Sequence, residues 1–166
     1  MSALIAALRD VEFADGSVAH VDLVRDAEPA SESAVFAAMA VVAADDGRYA
    51  VVYSPRRQEW SVPGGWREVG ETVRACAVRE VWEETGLRLD GGGLEPVGFE
   101  RFAPVSLHGR WPDAGGLMQL FRVQVPGGDE LVAALDDAVD PCWLTAGQFE
   151  ERCGERFWWP LVAAAL

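Results

Sequence analysis

The chain has 166 residues, of which 50% are hydrophobic and 25% charged, enough for one compact domain with its own core. It carries 14 basic against 27 acidic residues, a formal net charge of −13, and every basic residue is an arginine. The missing lysine excludes Schiff-base chemistry, a P-loop lysine and a lysine general base, while His20 and His108 alone are too few for a histidine-built zinc site. The acidic balance disfavours nucleic acid as a partner, because gripping a phosphate backbone needs a basic stripe. It also leaves many carboxylates free to hold a hard cation. Cys76, Cys142 and Cys153 form no C-x-x-C pair, and no secretory signal opens the chain, so a reducing cytoplasm is expected. No apolar run is long enough to span a bilayer, so no membrane partner is expected.

In chain order, Val11 to Phe13 and Val18 to Val24 alternate apolar and polar residues about Asp15-Gly16, which reads as a hairpin. Residues 1–30 are accordingly taken as an N-terminal β-hairpin extension with its connector, and 31–166 as the main domain. Val35 to Ala44 and Tyr49 to Ser54, joined by Asp45-Asp46-Gly47, predict a second hairpin buried on both faces. Trp60 to Val62 is a short strand stopped by Pro63-Gly64-Gly65. Thr72 to Thr85 has helical spacing, with Thr72 as N-cap and Gly86 as left-handed C-cap. Leu94 to Phe102 and Leu117 to Val125 read as strands joined by a long loop carrying His108 and Trp111. Beyond Pro126-Gly127-Gly128, an acidic stretch leads to Trp143-Leu144 and a terminal helix from about Thr145, stopped by Pro160. Strands flanking one central helix give an α/β fold, a sandwich around a mixed sheet. Trp82, one step off the acidic face of that helix, and Trp158-Trp159 are expected in the core, and Cys76 packed beneath the helix.

Glu80, Glu83 and Glu84 stand at i, i+3 and i+4, which puts three carboxylates on one helical face. Left alone, the Glu80–Glu84 pair is destabilising by roughly 0.2–0.5 kcal/mol, and a divalent cation would remove the repulsion. The flanking residues extend the pattern: Gly65, Glu71, then Arg79-Glu80-Val81-Trp82-Glu83-Glu84-Thr85-Gly86-Leu87. From Gly65 to Leu87 this fills every fixed position of the Nudix box, and chance would produce it on the order of once per 10⁹ registers. The chain therefore resembles the Nudix hydrolases, and Trp60-Ser61-Val62-Pro63-Gly64-Gly65 resembles the strand and turn that lead into their box.

The resemblance implies a Nudix-type α/β/α sandwich and Mg²⁺-dependent (Mn²⁺ as substitute) hydrolysis of the diphosphate linkage in a nucleoside diphosphate derivative. The substrate is an ADP-ribose, a sugar nucleotide or an NTP, and a nucleoside monophosphate is released. It puts Glu80, Glu83 and Glu84 at the catalytic and metal-binding positions, with the Gly64 carbonyl as a further ligand. Glu71 and Arg79 fall where residues brace the loop and orient those carboxylates. Phosphoryl transfer asks mainly for positioning and charge neutralisation, so no lysine is required. Glu80 is the first choice of general base and Glu130 the second. Arg57, near the strand leading into the box, is the expected phosphate contact, and Trp111, in its long loop, the expected stacking partner for a base. A homodimer through the N-terminal extension is the macromolecular partner the resemblance implies. Two alternatives stand beside the hydrolase: a nucleotide-sensing Nudix domain without catalysis, and an RNA 5′-end pyrophosphohydrolase.

Overall fold

The Ala- and Val-rich run that is apolar at nearly every position becomes strand β3 (Val35–Ala44), and its burial on both faces places it in the interior of the sheet. In this computed structural model, residues 1–128, 130–135 and 140–166 are described. The other strands are β1 (Ala3–Glu12), β2 (Val18–Arg25), β4 (Arg48–Ser54), β5 (Glu59–Ser61), β6 (Gly64–Trp66), β7 (Glu95–Ser106), β8 (Gly116–Val125) and β9 (Cys142–Thr145). Three helices complete the fold: α1 (Val73–Thr85), α2 (Ala146–Cys153) and α3 (Trp159–Ala163). The strand order is β1-β2-β7-β8-β3-β4-β5, with β6 paired to β3 and β9 to β4. The β3–β8 pair is parallel and the other ladders run antiparallel, giving the expected mixed sheet.

Helix α1 covers one face, where Val73, Cys76, Ala77 and Val81 pack on Ala38, Ala40, Val42 and Phe121. The opposite face meets α2 and α3 through Phe149, Cys153, Trp158, Trp159, Leu161 and Val162, packed with Val21, Leu23, Val41 and Leu120. These two layers make the α/β/α sandwich. Among the described residues, no helix is long and apolar enough to cross a membrane.

The first hairpin is longer than its alternation indicates. β1 begins at Ala3, and its register slips between Leu4 and Ala6 and again between Leu8 and Val11. Such bulges break the two-residue period that sequence reading depends on. β2 then pairs along β7 from Val18↔Ser106 to Arg25↔Gly98, so the hairpin continues the main sheet.

The second expected hairpin turns at Gly47 but is paired only at Ala43↔Tyr49. β6 occupies the β3 edge from Ala37↔Trp66 to Met39↔Gly64, and β4 instead pairs with β9 and β5. Pro160 does not stop the terminal helix. α2 ends at Gly154, and Pro160 lies in the first turn of α3, where a missing N–H leaves no intrahelical bond unmade. The loop between β7 and β8 is also shorter than expected, because both strands extend toward it.

Candidate active site

Helix α1 starts and stops where local chemistry dictates. The Thr72 hydroxyl accepts from the Ala75 N–H at 3.1 Å, and Gly86, at φ 77°, closes the C-terminus in the left-handed region. A second acceptor serves the N-terminus: the Glu32 carboxylate takes the Val73 N–H at 3.1 Å while pairing with Arg67 at 3.1 Å. Arg67 also reaches the carbonyls of Val35 at 2.8 Å and Glu71 at 2.6 Å, which ties the loop between β6 and α1 to β3. Glu32 and Arg67 escaped sequence reasoning because their partners lie up to 41 residues apart. In a chain without lysine, an arginine inside the box was the available signal.

Arg79 is the hub of the site. Its Nε and Nη2 fork onto the two Glu71 oxygens at 2.7 and 3.0 Å, and Nη1 donates to Glu80 at 2.7 Å and to Glu83 at 3.1 Å. Nη2 also donates to the Trp66 carbonyl at 2.9 Å, so one side chain joins β6, the loop and the helix. The Arg79 guanidinium, with help from the Glu68 N–H, holds the Glu71 carboxyl below the usual range. Glu80 is 9% exposed, and burial pushes its carboxyl up despite Arg79. Its carboxylate rests against Gly65 so closely that a Cβ there would overlap it. A side chain at Gly65 would therefore push the Glu80 carboxylate out of its present position on Arg79.

Glu84 turns the other way and accepts from the Gly64 N–H at 3.2 Å. Burial first, and the neighbouring Glu80 charge second, push its carboxyl up to about 8. The three helix carboxylates therefore divide between two partners, Glu80 and Glu83 on Arg79 and Glu84 on β6. Among the described residues, no three acidic, histidine or cysteine side chains are gathered as a ready metal cage.

Glu84 opens onto a crevice of about 90 Å³ whose wall includes Met39, Arg57, Gly64, Trp66 and Met118. Arg57 donates to the Ser61 hydroxyl at 3.0 Å and pairs with Glu59 at 3.4 Å, which points its positive charge over this opening. A larger hollow of about 340 Å³, between Arg25, Pro96, Arg122 and Leu166, is lined by none of the box carboxylates. The smaller crevice is the better candidate because the titratable groups converge there.

Trp111 is half-buried in an aromatic cluster, with ring centroids 4.8 Å from Phe13, 5.5 Å from Trp66 and 5.5 Å from Phe102. Its Nε1–H donates to Asp15 at 2.8 Å, so the tip of the N-terminal hairpin grips the β7–β8 loop. Trp111 is not among the residues that line the crevice; it packs edge-on against Trp66, which is. Cys76 is buried under the helix as expected, its thiol donating to the Gly65 carbonyl at 3.5 Å. Trp158 and Trp159 are likewise in the core. Trp82 is not: it is half-buried, with the Arg88 guanidinium 5.3 Å from its ring centroid, because the helix face beside the carboxylates turns outward. Glu130 is exposed.

Comparison with known proteins agrees with this geometry. The chain is 32% identical over 115 residues to a MutT-like protein of Streptomyces ambofaciens, an alignment covering 69% of this chain and 66% of that protein. It spans a third or less of the other curated relatives considered. The fold superposes on the Bacillus subtilis pyrophosphohydrolase BsRppH with a TM-score of 0.58 at 18% identity, covering 84% of this chain and 77% of that one. It also matches a bifunctional NMN adenylyltransferase/ADP ribose pyrophosphatase from Francisella tularensis, with a TM-score of 0.51 at 26% identity over 70% of this chain and 36% of that one. The family model of the NUDIX domain matches residues 34–163, and with the complete box on α1 and its approach loop, the chain belongs to the NUDIX family.

Proposed function

We propose that the protein is a divalent-metal-dependent pyrophosphohydrolase that cleaves the diphosphate linkage of a small nucleoside diphosphate derivative and releases a nucleoside monophosphate. The observation that carries this reading is Glu84: a carboxyl in the crevice, raised to about 8 by burial and by Glu80, with one N–H as its hydrogen-bond donor. Among the described residues Glu84 forms no ion pair, Arg57 acting on it only across the crevice, and Mg²⁺ or Mn²⁺ fits an all-oxygen donor set. Glu80, Glu83 and Glu84 would hold the ion, joined by the Gly64 carbonyl on the adjoining strand. When bound, it supplies charge neutralisation at the phosphate oxygens and an acidified water.

The chain's own residues do the rest. Arg79, braced by Glu71, is placed to hold Glu80 and Glu83 on the side of the helix that would face the ion. Arg57 is placed to take the phosphates distal to the cleaved bond, its fork already anchored on Ser61 and Glu59. Glu80, on the metal-facing side of the helix, is placed to accept the proton of an attacking water, and burial raises its carboxyl. Trp66, with Trp111 packed against it, offers the flat apolar wall on which a base can stack. The net charge of −13 favours a small substrate over RNA. The solved Francisella relative is described in complex with AMP and a manganese ion, in keeping with a nucleotide and a divalent cation sharing such a fold. A cytoplasmic setting and a homodimer built through the N-terminal hairpin accompany this reading.

The test is a substrate panel of ADP-ribose, nucleotide sugars, dinucleoside polyphosphates, NADH, coenzyme A and NTPs with Mg²⁺ and Mn²⁺. At least one should be hydrolysed, and Glu83→Gln and Glu84→Gln should each lower kcat by about 100-fold or more. A wild-type protein inactive on the whole panel with both metals would overturn the hydrolase in favour of a nucleotide sensor.

A further inference from the structure

A charged residue outside the box is buried on the same side of the sheet as the crevice. Glu100 on β7 is 2% exposed, and its neighbours in register are Leu23 on β2 and Met118 on β8. Residues paired across strands project to the same face, so Glu100 points into the layer that holds Leu23 and Met118. Met118 also lines the crevice beside Arg57 and Glu84. Burial pushes the Glu100 carboxyl up to about 8, and the charges that bear on it are those of Arg57, which lines that opening, and Glu59, which pairs with Arg57.

Glu100 makes no hydrogen bond or ion pair with any described residue. Yet among the described residues no side-chain polar atom is both sealed from solvent and without a partner. Its oxygens therefore border space that water or a ligand can enter. A buried carboxyl of this kind is destabilising by its desolvation, unlike Glu80 and Glu71, which are compensated by Arg79. Arg57 and Glu84 mark the phosphate end of the crevice, Trp66, Met39 and Met118 form its apolar wall, and Glu100 stands directly behind that lining as the cross-strand neighbour of Met118.

We infer that Glu100 is a specificity-determining residue that accepts a hydrogen bond from an N–H or O–H donor on the nucleoside part of the substrate. This rests on the nucleotide reading above but not on catalysis. A carboxyl keeps an acceptor oxygen in either protonation state, and the two donor sources a nucleoside offers are the ribose hydroxyls and the N–H edge of the base. A site that meets a donor with a buried acceptor rejects analogues lacking it, because the acceptor is then left unpaired.

The experiment is calorimetric titration of the full-length protein in EDTA with GMP, AMP and UMP and their 2′-deoxy counterparts, comparing wild type with Glu100→Gln and Glu100→Ala. At least one ribonucleotide should bind wild type, Glu100→Ala should bind it about tenfold more weakly, and Glu100→Gln, which keeps an acceptor oxygen, should fall between; binding of none of the six to wild type would overturn the assignment. Loss of the same factor on the wild-type protein with every 2′-deoxy ligand assigns the donor to the ribose. A preference among bases that disappears in Glu100→Ala assigns it to the base edge. Unchanged affinities for all six ligands in both variants, with thermal unfolding showing them folded, would overturn the assignment and leave Glu100 a structural residue. The hydrolase reading is judged separately by metal-dependent turnover, so the two can fail independently.

Discussion

Replacing Arg79 by alanine should be the most informative single change in the box. Three carboxylates depend on it: the side chains of Glu71 and Glu80 are each 12% exposed and that of Glu83 is 22%, against 20% for Arg79. Removing one member of a buried ionic network destabilises by about 3–5 kcal/mol, since the remaining charges lose their partner. Residual exposure of all four groups argues for the lower end, about 3 kcal/mol. For a chain of this length that corresponds to a Tm lowered by roughly 6–12 °C. Arg79→Lys keeps the charge but not the fork, and should fall between alanine and wild type.

The pH dependence of this deficit has a definite sign. Glu71 is held below its ordinary value of 4.5, so the stability it contributes with Arg79 is complete above that value and is lost as pH falls through the folded one. The alanine variant should consequently show its full deficit at pH 7.5 and a smaller one near pH 4. Thermal unfolding followed by circular dichroism, in EDTA at both pH values, measures it. A Tm within 2 °C of wild type at pH 7.5, or a deficit that grows on acidification, would refute the view of Arg79 as a charge-compensating hub.

Gly86→Ala places a β-carbon at φ 77° against the Val132 carbonyl, and should destabilise by at least about 1–2 kcal/mol in denaturant titration. A variant as stable as wild type would show that the helix end relaxes freely. Glu100 ionises near 8 when folded against 4.5 ordinarily, so it favours the folded state at low pH and opposes it increasingly as pH rises from 4.5 through 8. Glu100→Gln should therefore raise Tm relative to wild type at pH 9, by at least about 3 °C, and by less at pH 5. Equal shifts at both would count against an ionising carboxyl. Trp111→Ala should raise KM several-fold on any substrate found in the panel, and an unchanged KM would remove Trp111 from the binding surface.

The parts of the site legible in the sequence are those whose chemistry is local. Thr72, Gly86 and the three glutamates of α1 are specified within a few residues of where they act, and the helix appears between the expected caps. The pairing of β4 was not legible in the same way. Ala43↔Tyr49 closes the turn, but whether β4 continues along β3 depends on β6 and β9, which compete from other parts of the chain. Asp15 was hidden for a related reason, since its Trp111 partner lies 96 residues away. Glu100 was closer to being readable. Counted back from the buried Phe102 in steps of two, it falls on the inward face, but the register shift between Pro96 and Gly98 disrupts the alternation that would have exposed an acid facing the core.

Helix α1 is also fastened beyond its own last turn. The Thr85 carbonyl accepts from the Val132 N–H at 3.1 Å, and the Glu83 carbonyl accepts from Ala134 at 2.8 Å and Leu135 at 3.4 Å. The backbone of a box glutamate is therefore latched by a segment encoded some fifty residues later. If that segment lifts, the helix end loses its external donors and Glu83 is freed from the rear, with no change at Arg79. Amide hydrogen exchange at Ala134 would serve as a gauge of how often the latch opens. Substitutions in the acidic segment could tune turnover from behind the helix while every group facing the crevice stayed in place.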